Sequence, residues 1–280
     1  VSAILALLSS VMWGISDFLG GTASRRLSPF AVIGVSQAIA LAGLLIIAGA
    51  TGAYDDPTGY VGWAIASGVL GLIGLSSFYA ALASGTMGVV APIAAAGVVV
   101  PIGVGLARGE SPSTLQLVGA GITVLGVVMA SGPELRSGTG GLRPLLLALV
   151  AAAGFGGVLV FVAEGSNDSV TMTLLVMRVV SVVVVGVAAV VLRNVGGVTR
   201  SDVPLLAVIG VFDVAANACY AVATHSGLVS LTAVLASLYP AVTVLLARRF
   251  HGERLRRVQD TGVGVTLFGV VLMAAGGGAG

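Results

Sequence analysis

Residues 109–129 read GESPSTLQLVGAGITVLGVVM, and residues 252–272 read GERLRRVQDTGVGVTLFGVVL. Gly-Glu, Gln116/Gln259, Gly119/Gly262, Gly121/Gly264, Thr123/Thr266 and Gly126-Val127-Val128/Gly269-Val270-Val271 recur at an offset of 143. In each copy a short polar link carrying a glutamate leads into an apolar helix of about 18–20 residues, long enough to cross a bilayer. The match is an internal duplication, and each copy closes one half of the chain.

Composition agrees with a membrane location. Of 280 residues 57% are hydrophobic and only 9% charged, too few charges to cover a water-soluble globule of this size. All 13 basic residues are arginine, and a net charge of +2 scattered along the chain excludes a nucleic-acid surface. The single cysteine, Cys219, lies in an apolar run, so no intrachain disulfide or thiolate cluster can form. The first apolar run lacks a basic leading segment and carries Asp17, so it reads as a retained span rather than a cleaved signal.

Apolar runs of about 20 residues separated by polar or Pro/Gly-rich links occur at 2–22, 30–50, 60–83, 87–107, 114–131, 143–163, 170–192, 203–224, 228–248 and 258–276. The sequence therefore predicts an all-α polytopic membrane protein with ten transmembrane helices. The links 84–86 and 225–227 leave room only for tight hairpins. Tyr79-Ala80 and Tyr220-Ala221 precede them at an offset of 141, which also relates Gln37 to Arg178. Residues 1–135 and 136–280 thus form two five-helix units. Five is odd, so the second unit must insert upside down relative to the first, the inverted-repeat plan of many secondary transporters. Most of the 42 glycines serve close helix packing in lipid, and none is followed by the Lys-Ser/Thr of a phosphate loop.

Several features in order resemble one family. Trp13-Gly14 stands in the first span, Gln37 and Arg178 in the second span of each half, and Tyr-Ala before the links 84–86 and 225–227. Pro92, Pro101 and Pro240 fall in the fourth and ninth spans, and Gly-Glu opens each last span. Together they resemble the EamA-like branch of the drug/metabolite transporter superfamily. The resemblance implies ten helices, an inverted repeat, a central cavity, and export or exchange of small metabolites, amino acids or drugs. The second half has Phe155-Gly156 where a second Trp-Gly is common, and the first has Gln37 where arginine is common.

The candidate site residues are Trp13, Asp17, Gln37, Tyr79, Arg178, Asp213, Asn217 and Tyr220. Asp17, Arg178 and Asp213 are the charges well inside spans, where each costs roughly 2.5–3.5 kcal/mol on insertion scales. Such a residue faces the protein interior with a partner, and a structural ion pair is the alternative to a substrate site. Asp213, Asn217, Tyr220 and Thr224 share one helix face, as do Trp13 and Asp17. The tyrosines, Tyr239 among them, also suit helix ends near headgroups. Arg178 can reach Asp213 from the neighbouring span, keeping that carboxylate ionised and leaving Asp17 without a basic partner. Asp17 is then the expected site for a coupling proton or a substrate amine, with Trp13 against the apolar part. Glu110 and Glu253 read as caps on the last spans. His251 has no neighbours at metal-ligand spacing, and no metal or cofactor is expected.

These residues point to a secondary transporter of small metabolites, amine-bearing ones such as amino acids foremost, with a drug or cation efflux carrier as the alternative. The coupling ion would be the proton, the assembly a monomer or homodimer, and the location the inner cell membrane. No H-E-x-x-H, G-x-S-x-G or paired-aspartate motif supports an enzyme, and a channel or a non-transporting scaffold remains the rival from another class. Eleven arginines fall in the links after odd-numbered spans and one, Arg108, on the opposite side. The positive-inside rule then puts the first set in the cytoplasm and both termini outside, whereas the resemblance implies cytoplasmic termini.

Overall fold

The computed structural model describes residues 2–107, 113–137, 142–191, 197–226 and 238–276. Among them are helices and no strands: α1 (Ser2–Ala23), α2 (Pro29–Thr51), α3 (Val61–Ser84), α4 (Met87–Ala95), α5 (Val99–Ala107), α6 (Thr114–Ser137), α7 (Leu142–Ser166), α8 (Val170–Val191), α9 (Val203–Ser226), α10 (Tyr239–His251) and α11 (Arg257–Gly276). Six stretches in α1, α2, α3, α7, α8 and α9 are long and apolar enough to cross a membrane. Large apolar side chains such as Ile46, Val190, Val191 and Leu245 point outward. In lipid that outer surface needs no polar cover.

Local chemistry sets the helix limits. Ser28 accepts from the Ala31 amide ahead of Pro29, and α2 ends at Gly52 in the left-handed region (φ 72°). The repeated glutamines are N-terminal locks: Gln116 Oε1 accepts from the Ser113 amide at 2.8 Å and Gln259 Oε1 from the Arg256 amide at 2.9 Å. The fourth span is not one helix as expected from its length. Pro92 lacks the N–H that would bond back along α4, and the chain passes through a 3₁₀ turn at Ala96–Val98 before α5.

The two halves pack on each other through matched contacts. Helices α6 and α11 run antiparallel, with Gly126 against Thr266 and Gly269 against Thr123, so each copy of the opening motif supplies the small residue that its counterpart needs. Gly14 of α1 abuts Tyr239 and Val242, and Gly156 of α7 abuts Gly97 and Val100, the same contact displaced by 142 residues in both partners. One expectation is corrected here. Trp13 packs on Tyr220 and Phe155 on Phe78, so Phe78, not Tyr79, occupies the position equivalent to Tyr220. The Tyr-Ala match is one residue out of register with the packing. Of the ninth span, 228–237 lies outside the described residues, as does Glu110.

Candidate functional site

Helix α2 packs on both α8 and α9, and α1 packs on both α9 and α10; the polar groups inside the fold gather along this line, with Arg178 reaching from α8 to α9. Helix α8 starts behind Ser169, whose hydroxyl accepts from the Met172 amide, and carries Arg178 to the interior. Nη2 of Arg178 donates to Asp213 Oδ2 at 2.7 Å, as the spacing along neighbouring spans predicts. Asn217, one turn along α9, donates from Nδ2 to the Asp213 carbonyl at 2.7 Å and to Oδ1 at 3.3 Å. The carboxylate is thereby held from two sides, and Arg178, 6% exposed, keeps its Nε–H without an acceptor among the described residues. A buried donor left unpaired costs about 1–3 kcal/mol, an expense a bound oxygen would relieve.

Arg178 and Asn217 line a cavity of about 90 Å³ with Leu44, Ile47, Leu174 and Val214. It lies toward the end of the molecule where α2 and α9 finish and α8 begins, the arginine-poor end.

Beside this network the aromatic wall is built from three helices. Trp13 stacks at a tilt on Tyr220, centroids 5.8 Å apart, and meets Tyr239 edge-on at 6.3 Å. Gly14 is what lets α10 approach: its missing Cβ leaves room for Val242, and its carbonyl accepts from the Thr243 hydroxyl at 3.2 Å. This gives the Trp13-Gly14 pair a physical reason. Tyr239, read from the sequence as a helix-end residue, is part of the wall; its place depends on α10 crossing α1, which spacing along the chain does not encode.

Asp17 sits one turn beyond Trp13 on α1. It is within electrostatic reach of Asp213, Tyr79 and Tyr239, and makes no hydrogen bond or ion pair among the described residues. With Asp213 and Arg178 ionised, an ionised Asp17 leaves the cluster one negative charge in excess. Tyr79 is buried against Gly20, two turns along α1 from Trp13 on the same face, and lies within electrostatic reach of Asp17, Asp213 and Arg178. Gln37 is buried, its Oε1 without a partner among the described residues, and does not line the cavity.

At the arginine-rich end the polar contacts are of another kind. Arg26 pairs with Asp202, which also accepts from the amide and hydroxyl of Thr199 at 2.9 and 2.7 Å. Those Thr199 bonds, then Arg26, hold the Asp202 carboxyl below the usual range. Burial, with Arg25 nearby, lowers the His251 ring, whose Nε2 meets the Thr22 hydroxyl at 3.2 Å. Glu253 departs from its expected role. It does not cap the span that follows it; its two oxygens accept from the Met87 and Gly88 amides at the start of α4, both at 2.9 Å.

The sequence profile of the EamA-like transporter family matches residues 1–132 and 142–275. The chain belongs to the EamA-like transporter family. Both matched segments fall on the duplicated units, so this member is a multi-pass membrane protein of a transporter family. A solved crystal structure, described only as that of a protein, superposes with a TM-score of 0.67 at 12% identity over 97% of this chain and 96% of its own. That likeness concerns the fold alone. A search of curated proteins found no significant match.

Proposed function

We propose that this EamA-like protein is a secondary transporter that exports or exchanges small amine-bearing metabolites, amino acids among them, by alternating access. In this reading residues 1–135 and 136–280 are two inverted five-helix repeats, ten spans in all, in the inner cell membrane. The 3₁₀ turn at Ala96–Val98 interrupts the fourth span, as discontinuous helices do around midplane sites.

The observation that carries the reading is the unpaired Asp17 beside an aromatic wall, next to a carboxylate that already has its own arginine. An ammonium group would meet Asp17, and the apolar part of the solute would lie on Trp13, Tyr220 and Tyr239. Arg178 Nε offers a donor to a substrate oxygen. When no substrate is bound, Asp17 is the group that would carry a coupling proton. A cationic drug satisfies the same carboxylate and wall, and the two substrate classes differ in whether they use Arg178.

Purified protein in liposomes tests this by counterflow of amino acids, other amines and cationic drugs against empty vesicles. Asp17→Asn should insert and fold, yet lose at least tenfold in flux of amine-bearing solutes and lose the dependence of flux on pH. Unchanged flux at every pH would remove Asp17 from the mechanism. Absence of flux for every solute from wild-type protein would favour a scaffold.

A further inference from the structure

The arginine-rich end is closed by contacts that join one half of the chain to the other. Arg25 and Arg26 follow α1, and Met87 and Gly88 open α4, all in the first half. Their partners, Glu253 and Asp202, belong to the second, as does His251, which meets the Thr22 hydroxyl near the end of α1. Glu253 stands at the centre of this set. One carboxylate oxygen accepts from the Met87 amide and lies 3.5 Å from Arg25, and the other accepts from the Gly88 amide. Its side chain is 11% exposed.

The α4 amides at that end have no helical acceptors of their own, so the carboxylate supplies what the preceding turn cannot. Gly252, in the left-handed region at φ 64°, ends α10 and turns the chain so that Glu253 faces α4 instead of α11. Gly88 has no side chain at the point where Leu255 and the Glu253 oxygen come in. The second Gly-Glu pair, Gly252-Glu253, therefore reaches across the molecule. Meanwhile the cavity beside Arg178 lies toward the opposite end.

We propose that Glu253 is the releasable latch of a gate at the arginine-rich end: the site opens to that side only when its carboxylate leaves the α4 amides and Arg25. The inference rests on the transporter reading, since a scaffold has no need of a gate. The contacts at this end join three of the elements that carry the site. Arg25 and Arg26 follow α1, which carries Trp13 and Asp17; Asp202 precedes α9, which carries Asp213 and Asn217; Glu253 follows α10, which carries Tyr239. Both oxygens of Glu253 are used at once, so its departure frees two amides and one guanidinium in a single step. Arg248 and Asp260 pair at the same end, but both lie in the second half and both are about two-fifths exposed, so that pair does not bridge the halves.

The test uses the full chain in detergent, where both ends are open to solution. Cys219 is replaced by alanine and Ser24, a buried residue between α1 and the arginines, by cysteine. The rate of modification by a membrane-impermeant thiol reagent is then read. Glu253→Ala should raise that rate at least tenfold, Glu253→Gln and Arg25→Gln by smaller factors, and Asp260→Asn not at all. If Glu253→Ala does not fold, the ordering of the Gln variants above Asp260→Asn carries the test. Rates within twofold of one another across the whole set overturn the proposal. Liposome flux separates the two readings. Accelerated labelling with no solute transported by wild-type protein removes the transporter reading and the gate with it, leaving Glu253 as a structural clasp; normal transport with unchanged labelling removes the latch alone.

Discussion

Trp13 on Tyr220 and Phe155 on Phe78 are the same corner built twice. In the first corner a tryptophan and two tyrosines meet beside Arg178, Asp213 and Asn217. In the second, two phenylalanines meet edge to face at 5.5 Å, and Gly97 stands where the first has Tyr239. The backbone approaches are conserved between the two, Gly14 against α10 and Gly156 against the 3₁₀ turn before α5. The glycines recur because they set helix distance, whereas among the described residues the polar groups stand at the first corner only, which leaves the second apolar and dry.

The largest effect that separates the corners should follow Arg178→Ala. Removing the guanidinium leaves Asp213 in the interior with only Asn217, and breaking such a pair from one side costs about 3–5 kcal/mol for fully buried partners, toward the lower figure here because Asp213 is partly exposed. The thermal unfolding midpoint in detergent should fall accordingly. Arg178→Met with Asp213→Leu should recover most of the loss while abolishing transport. If the double variant stays as unstable as the single, the pair is not the source of the effect.

The dry corner should behave in the opposite way. Phe155→Ala removes a ring packed on Phe78 and beside Gly74, at a cost of about 3 kcal/mol, the low end for core phenylalanine since Phe155 is partly buried. Whatever protein folds should keep wild-type substrate preference. Trp13→Phe should do the reverse: a midpoint close to wild type, with altered preference among amines. A change of preference from Phe155→Ala would mean that both corners touch substrate.

The smallest difference lies where the two corner helices begin. Helix α9 starts after Asp202, and α3 starts after the buried Tyr60, the equivalent position. The Asp202 carboxyl is depressed by Thr199 and Arg26, so the stability it contributes is present above its unfolded value of about 3.9 and is lost as pH falls through the lower folded value. Asp202→Asn should therefore lower the unfolding midpoint at neutral pH by a small amount, and the gap to wild type should narrow below about pH 4. A gap independent of pH would show that Asp202 works through packing. No such titration begins α3, so Tyr60→Phe should leave the acid limb unchanged.

Much of this was legible in the chain itself. The duplicated Gly-Glu stretches are visible without any structure, and apolar runs of about 20 residues mark a multi-pass membrane protein, because a bilayer demands that length. The faces of α1 and α9 were equally readable, since 3.6-residue periodicity places Trp13 with Asp17 and Asp213 with Asn217. The Arg178–Asp213 bond was expected from packing of consecutive spans, but α8 and α9 both lie against α2, and it is the length of the arginine side chain that closes the gap. Tertiary packing alone decided the rest. Which helix faces which across the two halves is not written in any one helix's period, so Tyr239 joins Trp13 only because α10 crosses α1 at Gly14. The equivalence of Phe78 with Tyr220, one residue away from the sequence match, is set by which ring meets α1 or α7, not by residue type. Glu253 shows the same limit: its position before a helix suggests a local cap, but a carboxylate goes to the nearest free amides, and here those belong to α4 in the other half.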